Sequence, residues 1–397
     1  MRRILIFSFL MALTACIYPY TQEIPEQDED NQTIVVSGDI LIGEQTTIVL
    51  NAVSPLGTPY SATKQNKVNV EVITIDCENA HRSLFGERTT KGTYIFNTKD
   101  LPADDSYRLR FSLGKDKYET PYMKALPAPE ISSLDYVTDD TNLYLRIGLD
   151  GGADLTDFRW DFTENWEYHA YFVPDLMYVP NTGTENPSLI YREPTENEDY
   201  YYCWNSADGK EPVTASTSGQ SENRIKDMVF RSIPRSDNRL SVLYSILVTA
   251  RGLSPEGRAY LDYLNSTSNI TGDLFTPIPS NMNGNLRCVT DSSRIAVGFV
   301  NVTRRTSKRI FVSYESIFLN PVIPEYYLYY PEYDEEEHSY HFEDLYKSGD
   351  APVYCSSSDG PPMPTKTNVQ WAPRWCSDCR ASGGTKKKPE WWPNNHK

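Results

Sequence analysis

Long hydrophobic runs are scarce in this chain. After Ile4 to Ala12 no stretch approaches the roughly 20 apolar residues a membrane-spanning helix needs. Histidine is scarcer still: His81, His169, His338, His341 and His396 are the whole supply, and none stands in the context of a catalytic triad. There is no Gly-x-Ser-x-Gly, so no nucleophile elbow. There is no phosphate loop or G-x-G-x-x-G, so no nucleotide cradle, and no H-E-x-x-H, so no zincin helix. These absences leave no catalytic residue and no metal ligand to name, and the expectation is a non-enzymatic protein. A glycosidase is the enzyme class that they do not remove, because its two acids leave little local trace. Positive charge is also in deficit. Lys and Arg number 38 against 54 Asp and Glu, for a net charge of −16. Such a body repels nucleic acid and anionic headgroups.

What is present begins with Met1-Arg2-Arg3, a positive start, and an apolar stretch over Ile4 to Ala12 of the length secretory signals use. Leu13-Thr14-Ala15-Cys16 then resembles a bacterial lipobox, in which the cysteine sulfur takes a diacylglyceryl group and cleavage falls just before it. Residues 1–15 are expected to be a signal peptide. Residues 16–32 are expected to be a lipidated tether, acidic at Glu23, Glu26, Asp28, Glu29 and Asp30. The covalent lipid on Cys16 is the only non-protein group expected, with no cofactor. A secreted protein with a chance cysteine after its signal is the alternative.

With 397 residues, two or three domains are expected. Apolar content of 39% suffices for packed cores, and 28 Tyr beside 7 Trp suit sheets. The fold is expected to be mainly β. Residues 33–127 read as an immunoglobulin-like sandwich, with strands at Thr33 to Gly38, Thr46 to Leu50, Val68 to Val72, Gly92 to Phe96 and Tyr107 to Phe111. Lys115 to Glu119 reads as the last edge strand. Leu126-Pro127-Ala128-Pro129 is the predicted boundary.

Residues 128–323 read as a larger β domain. Its strands fall at Ile131 to Val137, Asn142 to Leu149, Phe158 to Phe162, Leu240 to Ala250, Ala296 to Val300 and Lys308 to Val312. One helix is expected, from Pro255 to about Asn265, with Ser254 as its N-cap and Pro255 in its first turn. Residues 174–220 lose the apolar pattern and read as a long insertion, with Tyr200 to Trp204 pinned inside it. Residues 324–397 form an irregular tail rich in Tyr, Trp and Cys.

Cys16 aside, six cysteines remain as disulfide candidates: Cys77, Cys203, Cys288, Cys355, Cys376 and Cys379. Six allow fifteen pairings, and an exported chain favours bridges. Cys376-Ser377-Asp378-Cys379 could also read as half of a zinc site or a redox pair. The first lacks a second pair, and Gly383-Gly384 and Pro389 argue against the helix that the second needs. The tail has too few aliphatics to fold alone, yet carries Trp371, Trp375, Trp391 and Trp392. It is expected to dock on the second domain with at least one of its cysteines bridged. Cys355 with Cys376 or Cys379 is the shortest loop to close. Asp334 to His341 reads as a solvated acidic loop.

Several stretches together resemble a family of Bacteroidota lipoproteins known as domain-of-unknown-function family 4249. They are Cys16 to Pro19, Ile34 to Ile40, Leu253 to Tyr260, Gly272 to Phe275 with Pro279, Gly284 to Leu286, Val297 to Phe299, and Cys376 to Arg380 with Gly383 to Thr385 and Lys388 to Trp392. The resemblance implies a lipoprotein anchored in the outer membrane and facing the cell surface. In such lipoproteins acidic residues soon after the lipidated cysteine direct export, and here they begin seven residues on. It also implies company: a SusC-like TonB-dependent transporter, for which the protein would be an accessory or would capture a small ligand, glycan or peptide. The family supplies no catalytic residues. A structural or adhesive surface protein is the alternative, and a hydrolase a third.

Overall fold

The computed structural model describes residues 33–53, 67–181, 187–193, 200–210, 212–268, 284–317, 327–332, 334–336, 341–355 and 368–393. The signal stretch, Cys16, the acidic tether, Gly272 to Phe275, Pro279, and Glu337 with His338 lie outside the described residues.

The chain is mainly β. Alternation builds the first sandwich: along Gln45–Ala52 the side chains of Thr46, Ile48, Leu50 and Ala52 turn inward. One sheet runs Ile34–Ser37, Gln45–Ala52, Thr93–Asn97, Glu87–Thr90. The facing sheet runs Asp116–Glu119, Ser106–Leu113, Val72–Cys77, Arg82–Phe85. This partition of strands is that of an immunoglobulin-like sandwich. Ile48, Leu50, Ile73, Ile75, Phe96, Leu109 and Phe111 fill the space between the sheets.

Two expectations for this sandwich are corrected. The strand expected over Val68 to Val72 starts only at Val72 and runs to Cys77. Val70 exchanges its backbone hydrogen bonds with the Tyr94 hydroxyl instead of with a strand, although its side chain reaches the core together with those of Ile73 and Ile75. Asp116–Glu119 is not an edge, since Arg287–Cys288 pairs outside it.

The second sandwich repeats the arrangement. Glu130–Thr138, Asn142–Asp150 and Arg224–Pro234 make one sheet. Tyr202–Asp208, Asp157–His169, Leu243–Leu253 and Arg305–Ser313 make the other. Leu143, Leu145, Ile147 and Leu149 alternate inward as their pattern predicts, against Phe158, Trp160, Tyr244, Ile246 and Val248. A buried carboxylate, Glu164, accepts hydrogen bonds from Arg231, Arg239 and the Tyr244 hydroxyl.

The stretch 174–220 is more ordered than its composition suggests. It supplies the hairpin Leu176–Val179 with Ser188–Tyr191, and the strands Tyr202–Asp208 and Val213–Ser216 that pair with Asp157–His169. Strands at the margin of a sheet need little apolar content, which is why the pattern fades there.

Between Leu253 and Arg305 the chain leaves the second sandwich and returns to the first. It forms the helix Pro255–Ser268. Arg287–Cys288 then joins Asp116–Glu119, Ala296–Val297 lies parallel to Ile34–Ser37, and Val302–Thr303 parallel to Ile40–Leu41. Residues 287–303, read in sequence as part of the second domain, thus complete the first. Ser254 caps the helix through Gly257 N–H as predicted. It is not the sole helix: Tyr314–Ile317, Phe342–Ser348 and Arg374–Ser377 are short additional ones.

The tail packs on the far end of the second sandwich. Asp350–Cys355 pairs with Val369–Pro373. Trp371 is buried with Tyr178, Leu176 and Phe342, Trp392 donates to Glu167, and Trp204 and Thr385 exchange backbone hydrogen bonds. Cys203–Cys379 is the disulfide among the described residues. The tail therefore docks with one cysteine bridged, but neither local pairing of Cys355 forms. The partner of Cys379 is instead on the strand beneath it.

Candidate functional site: a cleft where the two sandwiches meet

Four short segments converge at the junction. The linker from Pro121 to Leu126 ends the first sandwich. Ser254 and Glu256 open the helix. Gly284 and Asn285 follow it, and Phe299, Asn301 and Val302 precede the return strand. Together they enclose a cleft of about 480 Å³, within the roughly 300–1,000 Å³ typical of small-ligand sites.

Glycine makes the approach possible. Gly284 and Gly298 face each other backbone to backbone, and a Cβ on Gly284 would lie 1.8 Å from the Gly298 carbonyl oxygen. Both have positive φ, 98° and 139°. Gly257 lets the first helical turn close on Asn301, whose Oδ1 would stand 2.6 Å from a Cβ there.

Beside the cleft a charge network joins the sandwiches. Asp39, only 6% exposed, accepts from Arg251 Nη1 at 2.9 Å, from Asn301 N at 3.1 Å and from Asn301 Nδ2 at 3.2 Å. Arg159 stands 3.8 Å away. Both arginines also reach Asp161. Asp39 lies on the first sandwich, and Arg159, Asp161 and Arg251 on the second.

The lining is chiefly apolar: Pro121, Met123, Leu126, Phe299 and Val302. Its polar groups are mostly committed. The Asn285 amide donates to the Val300 carbonyl and accepts from Val300 N–H. The Ser254 hydroxyl caps the helix. Lys124 and Glu256 are exposed on the rim and form no ion pair among the described residues. The cleft thus offers apolar contact and two unpaired opposite charges, without a nucleophile set against a base.

The expected site residues lie elsewhere. Cys16 is outside the described residues. Cys203 and Cys379 are bonded to each other, and Cys77, Cys288, Cys355 and Cys376 are free. Cys77 and Cys288 share a sheet of the first sandwich with two strands, Asp116–Glu119 and Ser106–Leu113, between them, while Cys355 and Cys376 sit in separate clusters of the tail. Burial pushes the Cys77 thiol up and the Cys376 thiol up to about 12, so neither carries a reactive thiolate at neutral pH. His341 contacts Asp334 and Asp344 at the surface, and no cluster of three metal-ligating side chains occurs among the described residues.

No site residue of the cleft was named from sequence. The signal was nevertheless there, since Ile34 to Ile40, Leu253 to Tyr260, Gly284 to Leu286 and Val297 to Phe299 are the stretches that carry the family resemblance. Far from the cleft, Tyr171, Tyr327 and Trp375 form a second feature, an aromatic cluster with centroids 4.9–6.4 Å apart and two rings well exposed.

The sequence model of one family, described as "Domain of unknown function (DUF4249)", matches residues 17–309. No curated protein matches the chain. Among solved structures, a two-domain fibronectin type-III segment of chicken tenascin is similar at 11% identity over 56% of this chain and 91% of that one, with a TM-score of 0.15. A chain from the structure of manganese lipoxygenase of Gaeumannomyces graminis and zonadhesin of Komagataella pastoris is similar at 8% identity over 58% and 91%, with a TM-score of 0.16.

Proposed function

The chain belongs to the family of unknown function DUF4249, and from that premise we propose that it is a non-enzymatic outer-membrane lipoprotein. In this reading it is held at the cell surface by lipid on Cys16, and captures a small ligand for a TonB-dependent transporter. The observation that carries the reading is the junction cleft. Its walls are apolar and its two rim charges are unpaired, as suits reversible holding. Three buried acids are engaged in structure: Glu164 by two arginines and a tyrosine, Glu167 by Trp392, and Asp39 by Arg251 and Asn301. The lipobox stretch supports the anchor, and the excess of acid supports a body that stands clear of anionic headgroups.

Extraction of cell envelopes in mild detergent, followed by affinity purification of this protein, tests the partnership. A TonB-dependent transporter should accompany it in stoichiometric amount. Its absence from a preparation that retains the lipid would overturn the transporter role. The exposed Tyr171–Tyr327–Trp375 cluster favours a second reading, an adhesive surface protein. That reading is preferred if the transporter's deletion leaves the protein's contribution to surface attachment intact.

A further inference from the structure

The class of ligand follows from what the cleft can and cannot satisfy. A sugar carries many hydroxyls and needs many free donors and acceptors. Here the Asn285 amide and the Ser254 hydroxyl are already spent on the protein's own backbone, and the Asn301 Nδ2 on Asp39. The one aromatic ring of the lining, Phe299, is packed against Tyr260 at 5.9 Å. A fatty acid would match the walls of Met123, Leu126, Phe299 and Val302 and bring a carboxylate to Lys124, but leave Glu256 unused. A simple anion would suit Lys124 and meet Glu256 with like charge. A molecule with an apolar side chain between a positive and a negative end uses every feature at once.

We propose that the cleft binds a short apolar peptide through both of its charged ends, the free amino terminus at Glu256 and the carboxylate at Lys124, with an aliphatic side chain against Met123, Leu126, Phe299 and Val302. The proposal rests on the cleft being the ligand-capture site, and it names the ligand. It requires no transporter to be bound.

Titration calorimetry of the full-length protein in mild detergent, with trileucine as the probe, tests it. Trileucine should bind saturably. N-acetylation and C-amidation should each weaken binding about threefold to fivefold, the range of an exposed ion pair. Lys124→Ala should abolish the effect of amidation and keep that of acetylation. Glu256→Gln should do the reverse. Phe299→Ala should weaken all the peptides alike. Equal binding of free and doubly blocked trileucine would overturn the proposal, as would the absence of saturable binding. The same titration with maltotriose should give no saturable heat, and octanoate, which lacks the amino end, should bind more weakly than trileucine; saturation by maltotriose, or octanoate binding as tightly as trileucine, would overturn the peptide assignment. Failure of the transporter to co-purify, with peptide discrimination intact, would refute the transporter role and leave this inference standing.

Discussion

Asp39 holds the two sandwiches together, and its loss can be worked out from its partners. Asp39→Asn keeps the shape and removes the charge. Arg251 and Arg159 then lose one of their two carboxylates at a site that is 94% removed from solvent at the acid itself, the complement of its 6% exposure. Removing one member of a buried ion pair costs about 3–5 kcal/mol. Here Asp161 still faces both arginines, and an Asn side chain can still accept from Asn301. About 3 kcal/mol is therefore expected, the low end of that range. Urea unfolding followed by tryptophan fluorescence should show the midpoint fall with an unchanged slope, the signature of lost stability without a change in the surface exposed. Arg251→Met should be destabilising too, and the double variant should show coupling of about 0.5–3 kcal/mol, as for residues in one network. A loss below about 1 kcal/mol in Asp39→Asn, the level of an exposed pair, would refute the reasoning. So would strict additivity in the double variant.

The remaining predictions concern the tail, the anchor and acid. Non-reducing peptide mapping should recover Cys203 joined to Cys379. Cys203→Ser should cost about 2–5 kcal/mol and release the tail to limited proteolysis near Thr385; a bridge from Cys355 to Cys376 would contradict this packing. Cys16→Ala should free the protein from membranes at high salt, and retention as an integral protein would refute the lipid anchor. Burial raises the Asp105 carboxyl, but the N–H groups of Asn79, Ser106 and Ala80 outweigh burial and hold it below the usual carboxylate range. A carboxyl depressed in the folded state stabilises above its unfolded pKa of roughly 3.9 and loses that contribution as pH falls through the folded value. The Tm gap between the wild type and Asp105→Asn should therefore close below about pH 4, and a gap independent of pH would count against it.

Much of the fold could be read from alternation. Asn142 to Ile147 and Thr46 to Leu50 bury every second residue as written, and Ser254-Pro255 announces a helix start. The errors share one cause, which is that strand pairing is not local. Ala296-Val297 is legible as a strand, but nothing in those two residues states that it lies beside Ile34 and Val35, some 260 residues earlier in the chain. The same holds for Cys379. Loop-closure entropy favours Cys355 as its partner, since the shorter loop costs less, but each doubling of loop length adds only about 0.6 kcal/mol. Packing easily outweighs that. Trp392 on Glu167, the Tyr168 hydroxyl on the Cys379 carbonyl, and Thr385 on Trp204 bring the tail to Cys203. The cleft was hidden for the same reason. Its glycines, Gly257, Gly284 and Gly298, are ordinary in sequence and acquire meaning only where Val36, Asn301 and one another approach them. Since the first sandwich takes its closing strands from a segment that must leave and re-enter the second, neither should fold independently. A fragment ending at Pro127 would expose Ile34–Ser37 and Asp116–Glu119 as open edges, and should aggregate more readily than the full chain at equal concentration, as light scattering would show.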